Sequence, residues 1–372
     1  MAGVVKAKVP FVDLAAGQAE IKCELAAAVD RVVSSAWYLL GPELEAFEQE
    51  FAEYCGTRHC VGVASGLSAI ELALLAAGIG PGDEVIVPAY TWIATWLGVS
   101  ATGATPVGVD ADPATFNIDP TLIAPAISER TAAIVPVHLR GEPAEMDAII
   151  DIASSHDLLV VEDAAQAHGA RHRGRRVGGI GGVGAFSFYP SKNLGALGDG
   201  GAVTTNDDAL ADRVRLLRNY GARNRYEIEA AGVNSRLAEI QAAALRVKLP
   251  HLDDWNRARA QRAALYAEEL AASDGVGLPA PLDFVDPVWH LYVVTVADRA
   301  GTAETLRADG VETLIHYPVL PHLAPPYCDL GLAAGSFPVA ERLADSVLSL
   351  PMHPQLDLAS VRQIAELTRT AA

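Results

Sequence analysis

The chain is short of lysine, cysteine and aromatic residues. Only five of its 28 basic residues are lysine (Lys6, Lys8, Lys22, Lys192, Lys248), which leaves 23 arginines. Three of the five lie in the N-terminal segment, so Lys192 is nearly alone in the middle of the chain. Basic residues are also outnumbered by 46 acidic ones, giving a formal charge of −18. That balance argues against general nucleic-acid binding and against adhesion to an anionic membrane. An anionic substrate would need arginines or helix N-termini as local compensation, and the arginine-dense runs 171–176 (RHRGRR) and 218–225 (RNYGARNR) are the expected places. The four cysteines (Cys23, Cys55, Cys60, Cys328) have no CxxC or zinc-ribbon spacing. This fits reduced thiols in a cytoplasmic protein and leaves a Cys55–Cys60 pair open. No uncharged apolar run reaches about 18 residues, so no membrane span is expected. The opening MAGVVKAKVPFVDL meets Pro10 and Asp13 before an apolar stretch forms, so no secretory signal is expected either.

What is present is an alternating pattern. The chain has 372 residues and is 51% apolar, enough for a sizeable core and about two domains. Residues 42–54 (PELEAFEQEFAEY) place Leu44, Phe47 and Phe51 at helical spacing. Short apolar strands are expected at 60–63, 84–88, 106–109, 132–137 and 158–161, then at 185–188 and 201–205, with helices between them. Continuous β-branched strands alternating with helices predict an α/β fold with a mostly parallel sheet covered on both faces. The texture changes after Pro250: a helix through 255–270, a proline-rich stretch, a strand at 290–296 and a helix at 302–309. The expected division is a large α/β domain over 1–249 and a smaller α+β domain over 250–372.

The chemistry concentrates in two runs. In 184–203 (GAFSFYPSKNLGALGDGGAV) a strand leads to Lys192 inside a glycine-rich loop. An amine that is partly desolvated or close to other cations loses its proton more easily and attacks carbonyls, a property used above all with pyridoxal phosphate (PLP). A surface lysine in a glycine turn is the competing reading. In 160–170 (VVEDAAQAHGA), Asp163 falls at the carboxyl end of a strand, where open parallel sheets place ligand groups. A carboxylate there suits the pyridine nitrogen of PLP, and Gln166 could donate to its phenolic oxygen; a helix cap would explain Asp163 equally well. The turn Ser65-Gly66-Leu67-Ser68, between a strand and a helix, could take a phosphate on free backbone N–H groups, or be a plain N-cap. Ser187 offers a further hydroxyl, and Trp92 could stack on a ring or serve as core. Gly179, Gly181 and Gly184 match G-x-G-x-x-G, but a strand follows them where the dinucleotide motif needs a helix, so a loop is expected. No histidine spacing suggests a metal site.

Taken in order, the motifs SGLSAIELAL, GPGDEVIVPAYTWIAT, VPVHLRGEPAEMDAI, VEDAAQAHGA, AFSFYPSKNLGALGDGGAV, RNYGARNRY and GVNSRLAEIQAA resemble the DegT/DnrJ/EryC1/StrS family of sugar aminotransferases. The resemblance runs from Val9 to near Pro351 and implies the PLP-dependent fold of aspartate aminotransferase. The segments WYLLGPELEAFE, NYGAR and HYPV are most similar to the 3-aminotransferases of dTDP-linked deoxysugars. The resemblance implies Lys192 as the Schiff-base lysine, Asp163 and Gln166 as partners of the ring nitrogen and ring oxygen, and Gly66, Leu67 and Ser187 at the phosphate, with Trp92 on the ring face. It implies that Asn234 reaches the phosphate across a homodimer interface, giving composite sites. Tyr189, His316 and Tyr317 would contact the nucleotide-sugar, and Arg223 and Tyr226 its diphosphate. Leu67 departs from the small polar residue common at its position and leaves only a backbone N–H there. L-Glutamate is the implied donor and C3 of a dTDP-3-keto-6-deoxyhexose the implied acceptor. The alternatives are a 4-keto nucleotide-sugar or an inosose-type cyclitol as acceptor, or a PLP-binding regulator without turnover.

Overall fold

The computed structural model describes residues 8–224 and 226–372. Helices α1 (Leu14–Glu20), α2 (Lys22–Ser35) and α3 (Pro42–Cys55) open the chain. Proline at the first helical position suits α3, since its missing N–H costs nothing there. The orphan N–H groups of that first turn go to the buried Glu239 carboxylate, which accepts from Gly41 and Glu43 at 2.8 Å and from Leu44 at 3.3 Å. Gly56, with φ +74°, ends the helix in the left-handed region.

Strand β1 (His59–Val63), helix α4 (Gly66–Ala76), strand β2 (Glu84–Pro88), helix α5 (Ile93–Ala101), and strands β3 (Thr105–Val109), β4 (Thr131–Ile134) and β5 (Leu159–Asp163) follow. A hairpin of β6 (Arg171–His172) and β7 (Arg175–Arg176) precedes β8 (Gly182–Ser187) and β9 (Gly201–Thr205). The main sheet has the order β1-β9-β8-β5-β4-β2-β3. The pairs β2/β3, β2/β4, β4/β5 and β5/β8 are parallel. Strand β9 breaks the pattern and runs antiparallel to both β8 and β1. No crossover helix links β8 to β9; residues 188–200 form a loop instead, and a parallel return would need such a crossover. The strand expected at 132–137 stops at Ile134, because Pro136 has no N–H to donate. Consecutive side chains enter opposite cores: Ile86 packs with Phe47, Phe51 and Phe186, while Val85 and Val87 pack with Ile70, Leu74 and Trp96. This is the two-sided burial that the apolar strands called for.

Gly179 and Gly181 lie in the loop that leads into β8, whereas Gly184, the third glycine of the apparent motif, lies within that strand. The loop's backbone N–H groups at Gly178, Ile180 and Gly181 donate to the fully buried Glu162 carboxylate. All four cysteines are free thiols, so Cys55 and Cys60 are not paired.

A second sheet, β10 (Val276–Gly277), β12 (Tyr292–Val296) and β13 (Val347–Leu350), is antiparallel; β11 (Val285–Asp286) pairs with β6 instead. Helices Leu252–Leu270, Arg299–Ala308 and Leu358–Ala371 accompany this sheet, with Tyr266, Tyr292, Val294, Leu348 and Ile364 in one core. Val9 joins that core from the other end of the chain, pairing with the 310–312 backbone. Among the described residues no helix is long and apolar enough to cross a membrane.

Candidate active site

A cavity of about 670 Å³ opens at the carboxyl ends of the central strands. Ten of the residues singled out by sequence line it: Gly66, Leu67, Trp92, Asp163, Gln166, Ser187, Tyr189, Lys192, His316 and Tyr317. The topology explains the convergence. β5 and β8 are adjacent and in register, which sets Asp163 opposite Ala185 and brings the following Ser187 to the same rim. The β8–β9 loop then carries Lys192 across the opening.

The anion end is built from backbone. Ser65 caps α4, its hydroxyl accepting from Ser68 N–H at 3.1 Å, and the helix presents its positive end beside Gly66 and Leu67. Gly66 is required there, since a Cβ would come within 2.6 Å of Ser187 Cβ. The close approach sets the Ser187 hydroxyl beside the helix start.

The carboxylate wall is more elaborate than the sequence suggested. Asp163 is 6% exposed. Its Oδ2 accepts from the Thr95 hydroxyl at 2.8 Å and its Oδ1 from Ala165 N–H at 3.2 Å. Thr95 in turn shares a hydrogen bond of 2.9 Å with Thr91, both buried. Burial pushes the Asp163 carboxyl up, and the Thr95 and Ala165 hydrogen bonds with the charge of Lys192 pull against it. Thr95 was not singled out by sequence; its signal is the four-residue spacing from Thr91 across the turn into α5.

Lys192 is the reactive candidate. Desolvation pulls its amine down to about 8, with the Asp163 charge opposing the shift. Its loop is pinned on both sides. Lys192 N–H donates to Tyr189 O at 2.8 Å. The Asn193 side chain donates to Asn256 Oδ1 and Val288 O, each at 2.9 Å, and its Oδ1 accepts from His290 Nδ1 at 3.1 Å.

The mouth is formed by the C-terminal part of the chain. Gln166 Nε2 donates to the Tyr317 hydroxyl at 2.7 Å, while its Oε1 accepts from Arg140 N–H at 2.6 Å. The ring of Tyr317 lies 5.3 Å from that of Trp92, which is 54% exposed and so offers an aromatic face to the opening. His316 shares a hydrogen bond with Ser349 Oγ, and burial with the Lys192 charge pulls it down to about 4, so it is neutral at pH 7.

Three expected residues do not line this cavity. Asn234 is exposed and pairs with Asn219 through the backbone. Arg223 is held by Glu229 at 3.0 Å, and Tyr226 is 84% exposed. The arginine runs do not reverse the field there either. Arg173 pairs with Asp147 and Arg176 with Asp253, and Arg218 is buried against Glu48 and Gly62 O. Arg225 lies outside the described residues. Arg173, Arg176, Arg218 and Arg223 thus neutralise neighbouring acids, and Arg171 donates to the Gly174 carbonyl. Positive potential at the cavity comes from Lys192 and the α4 terminus.

The residues present fit PLP. A helix N-terminus and a hydroxyl meet at one end, a buried carboxylate lies on the wall, and an amine of lowered basicity reaches in from the loop. The sequence profile of the DegT/DnrJ/EryC1/StrS aminotransferase family matches residues 19–369. The chain is 57% identical over 348 residues to the erythromycin biosynthesis sensory transduction protein EryC1 of Saccharopolyspora erythraea, covering 94% of this chain and 95% of that protein. It is 54% identical over 362 residues to the dTDP-3-amino-3,4,6-trideoxy-alpha-D-glucose transaminase of Streptomyces venezuelae, covering 97% and 96%. The crystal structure of S. venezuelae DesV superimposes with a TM-score of 0.96 at 54% identity, covering 98% of each chain. Solved neighbours have been captured with pyridoxamine phosphate or in a PLP form. The chain belongs to the DegT/DnrJ/EryC1/StrS aminotransferase family.

Proposed function

We propose that this protein is a PLP-dependent aminotransferase that moves the amino group of L-glutamate to C3 of a dTDP-linked 3-keto-6-deoxyhexose in deoxyaminosugar biosynthesis. The observation that carries the reading is the pairing of Lys192 and Asp163 on the walls of one cavity, in a chain 54% identical to a dTDP-aminosugar transaminase over nearly its whole length. When bound, PLP supplies an aldehyde that captures amines and a ring that spreads the electron pair left by a broken C–H bond.

The chain supplies the rest. Asp163, oriented by Thr95 and Ala165, holds the proton on the ring nitrogen. Lys192, once free as an amine, would carry the proton between the donor's Cα and the cofactor carbon bonded to the same nitrogen; a pKa of about 8 suits both directions near neutral pH. Gly66, Leu67 and Ser187 bind the phosphate with the α4 terminus, and Trp92 covers the ring. Gln166 donates to the phenolic oxygen, a role that requires it to share its amide with Tyr317 or release it. Tyr189, His316 and Tyr317 line the approach for the nucleotide-sugar. The protein works as a homodimer in which Asn234, with Arg223 and Tyr226 nearby, completes the partner's site. Each protomer divides near 249/250 into a large and a small domain.

The donor half tests turnover directly. Stoichiometric release of 2-oxoglutarate from L-glutamate by the PLP-loaded protein is expected. A yellow protein that releases none would favour the regulator reading instead.

A further inference from the structure

A second cavity of about 70 Å³ borders the Lys192 loop and shares Ser191 and Lys192 with the first. It is bordered by the loop itself (Ser191, Lys192, Asn193) and by Lys248, Arg259 and His353. The last three are 7%, 5% and 5% exposed. Lys248 Nζ makes a single hydrogen bond, to Gly195 O at 2.6 Å. Arg259 Nη1 donates to the carbonyls of Trp289, His290 and Met352, and its buried Nε has no partner. Both ring nitrogens of His353 are buried without a partner.

Two buried cations therefore face this space with no carboxylate in ion-pair contact among the described residues. Burial pulls Lys248 down to about 8 and Arg259 to about 9, so both keep their charge at neutral pH. Asp13 is the acid on the cavity wall, and one of its oxygens is committed to capping α1 through Ala16 N–H. Uncompensated buried charge is costly, and a protein of net charge −18 has acids to spare for pairing it. Orphaned buried donors of this kind call for a water or an ion. The volume is about half that of a roughly 150 Å³ cavity that admits benzene, which leaves room for a few waters or one small ion and none for a sugar.

We propose that Lys248, Arg259 and His353 form a binding site for a small monovalent anion of halide size, seated against the Lys192 loop. The anion neutralises the two cations and accepts from the free N–H groups of Lys248 and Arg259 and from a His353 ring N–H. Through Lys248 and Gly195 it stiffens the loop whose position sets the Lys192 amine. The site does not depend on the functional reading, because its ligands lie outside the cofactor cavity.

The test uses the full-length protein without added cofactor. Melting temperature is measured against bromide, with an anion too bulky for the cavity, such as gluconate, holding ionic strength constant. A saturable rise of about 2–4 °C is expected. Lys248→Met and His353→Leu should each flatten the titration. A crystal grown in bromide should show an anomalous peak within hydrogen-bond reach of Lys248 Nζ. No saturable rise and no peak, with water in the cavity, would overturn the proposal. A rise that survives both substitutions would place the anion elsewhere and overturn it equally. If neither variant folds, the wild-type anomalous map alone decides.

Discussion

The stretch 159–205 and the stretch 219–236 both carry residues expected at the site, yet they are built in opposite ways. The first is the middle of the main sheet. Asp163, Ser187 and Lys192 follow from strand ends and one loop, and all reach the same cavity within one protomer. The second is an exposed excursion closed by the pairs Asn219–Asn234 and Ala222–Ile228, with Tyr226 84% and Ile228 61% exposed. Apolar side chains displayed at that level suit contact with another surface. The sheet carries the residues of the first region to one cavity, whereas the second region leaves Arg223, Tyr226 and Asn234 outside the lining of that cavity.

Breaking the first region should cost most. Lys192→Ala is expected to lower turnover by at least about 10³-fold and to remove the visible absorption of the PLP-loaded protein. Retention of either in stopped-flow and absorbance measurements would exclude Lys192 from its role. Asp163→Ala should keep part of the cofactor yet lose about 10²-fold in the donor half-reaction, since the ring nitrogen loses its counter-charge; wild-type rates would remove the assignment. The pH dependence follows from the lowered pKa of Lys192. In the protein without cofactor its neutral, nucleophilic fraction grows as pH rises through about 8, so the rate at which added PLP develops the visible absorption should climb about tenfold between pH 7 and 9. A flat profile over that range contradicts the basis of the argument.

The second region is sharpened by mixing. Asn234→Ala should weaken PLP binding by about tenfold or more, the cost of one hydrogen bond to a charged group. Co-expressed with Lys192→Ala, it should yield dimers in which about a quarter of all sites are wild type, because about half of the dimers are mixed and each mixed dimer carries one intact site of two. Recovered turnover at that level, at a PLP concentration too low to load the Asn234→Ala homodimer, places Asn234 in the partner's site. Its absence, with mixed dimers verified by mass, would return the residue to a single-chain role.

The sequence revealed the two regions unequally for the same reason. Strand ends at Asp163 and Ser187 are written in short apolar runs of β5 and β8, and glycines mark close approach at Gly66, so the cofactor wall was legible. Thr95 was missed because its bond to Asp163 joins α5 to the end of β5 and depends on how the sheet brings the two together. The antiparallel course of β9 was missed because direction is decided by the loop 188–200 and leaves no trace in strand composition. The arginine runs misled: clustering on the chain suggested a phosphate site, but in space Arg173, Arg176, Arg218 and Arg223 meet Asp147, Asp253, Glu48 and Glu229, and Arg171 donates to the Gly174 carbonyl. Helices α1 and α2 were passed over, since α1 buries none of its own residues and α2 only Leu25, Ala28 and Val32, so neither carries a long apolar stripe.

The most direct test of the central claim is product analysis with the sugars side by side. The PLP-loaded protein is given L-glutamate with a dTDP-3-keto-6-deoxyhexose or with its 4-keto isomer, and 2-oxoglutarate and the aminated sugar are quantified. Catalytic 2-oxoglutarate release and amination at C3 with the 3-keto sugar alone is the predicted result. Preferential amination of the 4-keto sugar, or of neither, would contradict it.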